Sequence, residues 1–84
     1  MGQNFPNPFN PTTTIPYSLD KQADISLDLY DITGKLVRNL EKGVKHQGSY
    51  TENLNASNLP SGQYILNLRT EDGWSESKKI LLTK

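Results

Sequence analysis

The side chains able to do chemistry are few and poorly spaced for it. One histidine, His46, sits in the stretch Val44-Lys45-His46-Gln47. A nucleophilic centre needs a serine or cysteine, a base and an orienting carboxylate within hydrogen-bond reach. The chain has no cysteine, and no nucleophile elbow or glycine-rich phosphate motif surrounds the histidine. His46 therefore reads as a solvated loop residue. The nine acidic side chains are scattered, with no pair spaced for glycoside chemistry. Asp and Asn crowd the turns, and calcium favours such oxygens, but none follows the spacing of a calcium loop; such residues more often bond their own turn. Asn55-Ala56-Ser57 matches a glycosylation sequon and reads as turn chemistry too. No catalytic residue, cofactor or metal ligand is expected.

Two other groups of residues could serve recognition. Phe5, Phe9, Tyr17, Tyr30, Tyr50, Tyr64 and Trp74 would make a carbohydrate platform if several shared one exposed face. Tyr17, Tyr50 and Tyr64 lie on the apolar phase of their strands, which favours core duty, while Trp74 follows a turn and is expected to be partly exposed. The second group closes the chain: Lys78-Lys79-Ile80-Leu81-Leu82-Thr83-Lys84 is a dibasic step leading into an apolar run. Edge lysines discourage sheet-to-sheet aggregation, and an edge strand with unpaired N–H and C=O groups also offers itself to a receptor strand.

The elements that must position these residues are strands. With 84 residues there is room for one domain, and hydrophobic residues at 33% allow only a small core. Nine basic and nine acidic residues leave no net charge, so nothing in the balance points to nucleic acid or an anionic membrane. No apolar run approaches the length of a membrane span. Three prolines at 6, 8 and 11 keep the front of the chain out of helix. Alternation then recurs: Thr13–Leu19, with Pro16 marking a sheet edge; Ile25, Leu27 and Leu29; Lys35–Leu40; Ser49–Leu54, with Tyr50, Glu52 and Leu54 on one side; Tyr64, Leu66 and Leu68; and Trp74–Thr83. Gly34 in Asp31-Ile32-Thr33-Gly34 and Gly73 in Asp72-Gly73 supply hairpin turns. Glu41–Gln47 reads as a loop and Asn55–Asn58 as a polar turn. The fold expected is all-β, an antiparallel immunoglobulin-like β-sandwich of six to seven short strands, with its first and last strands at edges.

Four segments carry a resemblance. Asn7-Pro8-Phe9-Asn10-Pro11-Thr12-Thr13-Thr14-Ile15, Leu29-Tyr30-Asp31-Ile32-Thr33-Gly34-Lys35-Leu36-Val37, Leu59-Pro60-Ser61-Gly62-Gln63-Tyr64 and the Lys-Lys-Ile-Leu-Leu close resemble, in that order, the C-terminal sorting domain of proteins exported by the type IX secretion system. The resemblance covers Asn4 to Lys84; Met1–Gln3 reads as an added start and linker. It implies an address rather than an activity: a domain at the end of a larger cargo protein, engaged by outer-membrane secretion machinery and removed by a sortase-like peptidase, with the cargo passing through the periplasm to the outer-membrane surface or the medium. It assigns export recognition to Lys78, Lys79, Ile80, Leu81, Leu82, Thr83 and Lys84. Asn7, Pro8, Asn10 and Pro11 fix the approach to the first strand, Gly34, Gly62 and Gly73 shape the turns, and Tyr64 is a further structural residue of the motif. The rival reading is an immunoglobulin-like accessory or glycan-binding module of an extracellular bacterial hydrolase, which an exposed row of aromatics would favour.

Overall fold

The computed structural model describes residues 1–83. Six strands form: β1 (Thr12–Leu19), β2 (Ala23–Asp31), β3 (Leu36–Lys45), β4 (Gly48–Asn55), β5 (Gly62–Thr70) and β6 (Ser75–Leu82). No helix occurs among the described residues. β3, β2, β5 and β6 make an antiparallel sheet in that order, and β1 pairs with β4 in a second. The chain turns within a sheet at β2–β3 and β5–β6 and changes sheets at β1–β2, β3–β4 and β4–β5. This is the expected antiparallel sandwich, with six strands.

Period-two patterning decides which side of each strand faces the other sheet. Ile15, Tyr17 and Leu19 of β1 point inward, as do Ile25, Leu27 and Leu29 of β2 and Tyr64, Leu66 and Leu68 of β5. Ile80 and Leu82 complete this row from β6, each at 1% exposure, and Phe9 enters the same cluster from ahead of β1. Of the aromatics weighed for core duty, Phe9, Tyr17 and Tyr64 are buried. Pro16 lies on a strand that has one ladder partner, as its missing N–H requires.

One expectation is corrected. Glu41–Gln47 is not a loop: β3 runs unbroken to Lys45, pairing Ala23–Leu27 with Glu41–Lys45. The inward positions there are Glu41, Gly43 and Lys45, at the open rim of the sandwich rather than in its core. Their polarity hides the alternation. The rim is organised by other means. Tyr17 and Tyr50 stack with centroids 5.3 Å apart. Lys45 pairs with Glu41 at 3.2 Å and lies 5.4 Å from the Tyr50 ring centroid.

Candidate functional site at the pole of the terminal strand

Register brings distant segments to one end of the sandwich. Asp31 of β2 lies opposite Tyr64 of β5, and Tyr64 lies opposite Ile80 of β6. The β2–β3 hairpin, the approach to β5 and the end of β6 therefore share a pole. Thr12 opposite Asn55 adds the start of β1 and the end of β4.

Each piece is held by a specific device. The β2–β3 hairpin is a three-residue turn in which Asp31 N–H donates to Lys35 O (3.0 Å), Gly34 N–H donates to Asp31 O (3.1 Å) and Gly34 takes a φ of 88°. Asp31 Oδ1 accepts from the Thr33 hydroxyl (2.6 Å), Thr33 N–H (2.9 Å) and Lys35 N–H (3.1 Å). The Thr33 hydroxyl, followed by these amides, holds the Asp31 carboxyl below its ordinary value. At β5, the Tyr64 hydroxyl donates back to Pro60 O at 2.6 Å. This is a tyrosine corner, the device with which immunoglobulin-like sandwiches fasten a strand to the loop before it. Arg38 reaches across to the other sheet, its guanidinium donating to Asn55 O (2.8 Å) and Asn58 Oδ1 (3.0 Å).

The leading segment acts as a strap. Asn4, 2% exposed, donates to Thr13 Oγ1 at 3.0 Å, and Phe5 and Thr14 exchange main-chain bonds. Farther on, the strap reaches the last strand. Leu81 N–H donates to Asn7 Oδ1 (3.1 Å), Phe9 N–H to Leu81 O (2.9 Å) and Thr83 N–H to Phe9 O (2.9 Å). Pro11 O then accepts from Ala56 N–H at 2.9 Å. Because the main chain of Leu81 faces away from β5, alternation turns that of Lys79 and Ser77 outward as well. The strap covers the end of this edge, and no main-chain partner meets Ser77 or Lys79 among the described residues.

Several residues singled out from the sequence thus converge: Asn7, Pro8, Asn10, Pro11, Gly34, Gly62, Tyr64, Ile80, Leu81, Leu82 and Thr83. Gly73 does not join them; it has the same turn role (φ 98°) in the β5–β6 hairpin at the opposite pole. Nor do the two lysines form one feature. Lys78 shares the inward side with Ile80 and is partly covered, whereas Lys79 faces out. Lys84 lies outside the described residues. Sequence reasoning missed Arg38, whose contacts exist only once β4 and β5 are in place. It also gave Asp31 no role beyond its turn, although an Asp two residues before a Thr carries the signal for an Asx turn.

The exposed aromatics form no row. Phe5 (57% exposed) lies beside β1 and Trp74 (48% exposed) in the hairpin of the far pole. Trp74 lines a cleft of about 290 Å³ with Asp20, Lys21 and Asp72; Lys21 and Asp72 pair with each other at 3.4 Å, and the Thr70 hydroxyl donates to Asp72. His46 is exposed, its Nδ1 3.0 Å from Gln22 Oε1. Among the described residues, no cluster of three or more His, Cys, Asp or Glu side chains is placed to hold a metal ion, and no helix is long and apolar enough to cross a membrane.

The recognisable segments of this small sandwich are thus gathered around its last strand. A family model described as the secretion system C-terminal sorting domain matches residues 3–83, and the chain belongs to that family. Its function is that of a C-terminal sorting signal for type IX secretion, which directs export to the cell surface or the extracellular space; the accessory-module reading is not favoured. The family is a non-catalytic one. No curated protein and no solved structure is matched by the chain.

Proposed function

We propose that the folded domain, residues 4–84, is presented to the secretion machinery through the end of β6 and the segments packed around it, Lys78–Lys84 supplying the recognised strand. An upstream cargo in the same polypeptide is carried by way of the periplasm. A sortase-like peptidase then separates the cargo from the domain ahead of the strap. The observation that supports this is the position of β6: it is an edge strand whose last residues are fastened from outside by Asn7 and Phe9 and whose middle keeps an open main-chain edge. An open edge is a surface a receptor can read without unfolding the domain.

The test is a fusion of Gln3–Lys84 behind a signal peptide and a folded reporter, in a bacterium with type IX export. The reporter should reach the surface. Deleting Ile80–Lys84 removes two fully buried side chains, worth roughly 1.5–3 kcal/mol each, so its failure to export would report folding as well as recognition. Lys79→Gln avoids this ambiguity because Lys79 faces out; it should lower export with the melting temperature held. Lys78→Gln, on the inward side, should act chiefly on stability. Normal export of a folded Lys79→Gln variant would show that the outward charge is not read. An intact fusion retained in the periplasm, while the host exports its own cargo, would refute the sorting role of this domain in that host.

A further inference from the structure

The outward side of the four-stranded sheet is divided into two unlike halves. Away from the pole of the terminal strand it is mostly polar, Val44 apart, and its polar groups bond to one another. Asp28, only 3% exposed, accepts from Ser26 Oγ (2.9 Å) and Asn39 Nδ2 (2.8 Å), with Arg69 Nη2 at 3.6 Å. Asn67 donates to the Ser77 hydroxyl at 3.0 Å. Groups satisfied in this way offer a partner little.

Toward the pole the same side is largely apolar, with Gln63 of β5 its polar member opposite Leu81. Register sets Leu36, Tyr30 and Ile65 side by side on β3, β2 and β5, with Lys79 of β6 next in the row. Ile32 in the hairpin and Leu81 on β6 widen this band, and Ile32, Leu36 and Leu81 are 70%, 52% and 37% exposed. Scattered apolar residues on a surface need no explanation, but a contiguous group does. Lys79 borders the band and has no carboxylate within ion-pair reach among the described residues.

We infer that this band is the face on which the domain docks against a protein of the secretion machinery, and that the partner presents an apolar patch with a carboxylate opposite Lys79. The inference rests on the proposed reading of β6. Two observations select this occupant. The band is continuous with the end of β6 through Leu81 and Lys79, so one partner can cover both. Its cationic border also calls for an anionic counterpart, which a second copy supplies poorly: the Asp31 carboxylate at the same pole is already taken up by its own hairpin.

The reporter fusion tests it with Leu36→Glu and Lys79→Glu, and with Val44→Glu as control. Val44 is 61% exposed on the same outward side of the sheet, at the other end. Surface changes of this kind should leave the melting temperature within about 4 °C. Leu36→Glu and Lys79→Glu should each lower surface reporter about tenfold, the effect of losing one well-placed contact, while wild type and Val44→Glu export alike. A photo-cross-linking benzoylphenylalanine in place of Leu36 should give an adduct with an outer-membrane secretion protein, and one in place of Val44 should not. Normal export of both band variants, or no adduct at position 36 while export proceeds, overturns the inference and leaves the sorting role standing. So does sedimentation of the purified domain as a dimer that Leu36→Glu dissociates, since a second copy would then cover the band. Retention of the wild-type fusion defeats the proposed role of β6, and the inference with it.

Discussion

Gly34 and Gly73 do the same work at opposite poles. In both hairpins an Asp precedes the glycine by one or three positions, a main-chain bond closes the turn at 3.1 Å, and the glycine has a φ of 88° or 98°. A β-carbon built on either glycine meets nothing within 4 Å. Any cost of substitution is therefore backbone strain, uncomplicated by a clash. Gly34→Val and Gly73→Val should each destabilise by about 1–3 kcal/mol, read by denaturant unfolding. If both variants unfold at the wild-type midpoint, the turns tolerate a β-branched residue and strain is not what selects glycine. Only the Gly34 change is also expected to disturb the pole of the terminal strand, so comparing export by the two variants at matched stability separates folding from recognition.

At the scale of elements, the strap and β6 depend on each other. β6 has a ladder partner on one side, and its other side, with Thr83 just beyond it, is fastened by hydrogen bonds to Asn7 and Phe9. Removing the Asn7 side chain leaves the strap's main-chain bonds in place but takes the acceptor from Leu81 N–H. Asn7→Ala should therefore speed hydrogen exchange at Leu81 selectively, with Lys79, already uncovered, unchanged and Ile80, bonded inward to β5, little affected. Exchange at Leu81 equal to wild type would show that water replaces Asn7 without loss. Strands were legible in the sequence wherever one face meets the core: Tyr64, Leu66 and Leu68 announce β5 by alternation alone. The second half of β3 was not, because Glu41, Gly43 and Lys45 face the rim, where burial no longer demands apolar residues. The prolines of the strap excluded helix but gave no destination, since its partners Leu81 and Thr83 lie 74 residues away and nothing local encodes them.

Across the whole molecule, the two sheets are held by a dry core and closed at one rim by a charged and aromatic cluster. Burial, reinforced by the Glu41 and Glu52 carboxylates and by Tyr50, pushes the Tyr17 phenol up to about 12. The folded protein thus keeps this proton at a pH where the unfolded chain, with an ordinary value near 10, has lost it. Deprotonation then favours unfolding, so stability falls as pH rises from about 10 to 12. Tyr17→Phe removes this contribution. The difference in melting temperature between wild type and Tyr17→Phe should shift in favour of the variant over that range and stay constant from pH 7 to 9; a difference that stays constant to pH 12 would refute the linkage. Burial of Glu52, with Glu41 nearby, raises its carboxyl, while Lys45, followed by the Lys42 amide, lowers that of Glu41. The rim therefore holds one acid easier to protonate and one harder, and its response to acid is spread over a wider interval than a single carboxylate would give.

The strap also determines how the domain answers to force. Phe9 and Leu82 are bridged in parallel, whereas Phe5 and Thr14 are bridged antiparallel. A pull applied through the residues ahead of Asn4, with β6 held at its C-terminal end, first breaks the Met1–Glu76 and Gly2–Pro16 contacts and then peels the Phe5 contacts from β1 one bond at a time. It then reaches Phe9, where strap and terminal strand run in the same direction and are drawn past one another, so the bonds to Asn7 and Phe9 resist together in shear. Tension between the two ends of the domain is thus carried along its edge, through a short mechanical clamp, before it reaches the core between the sheets.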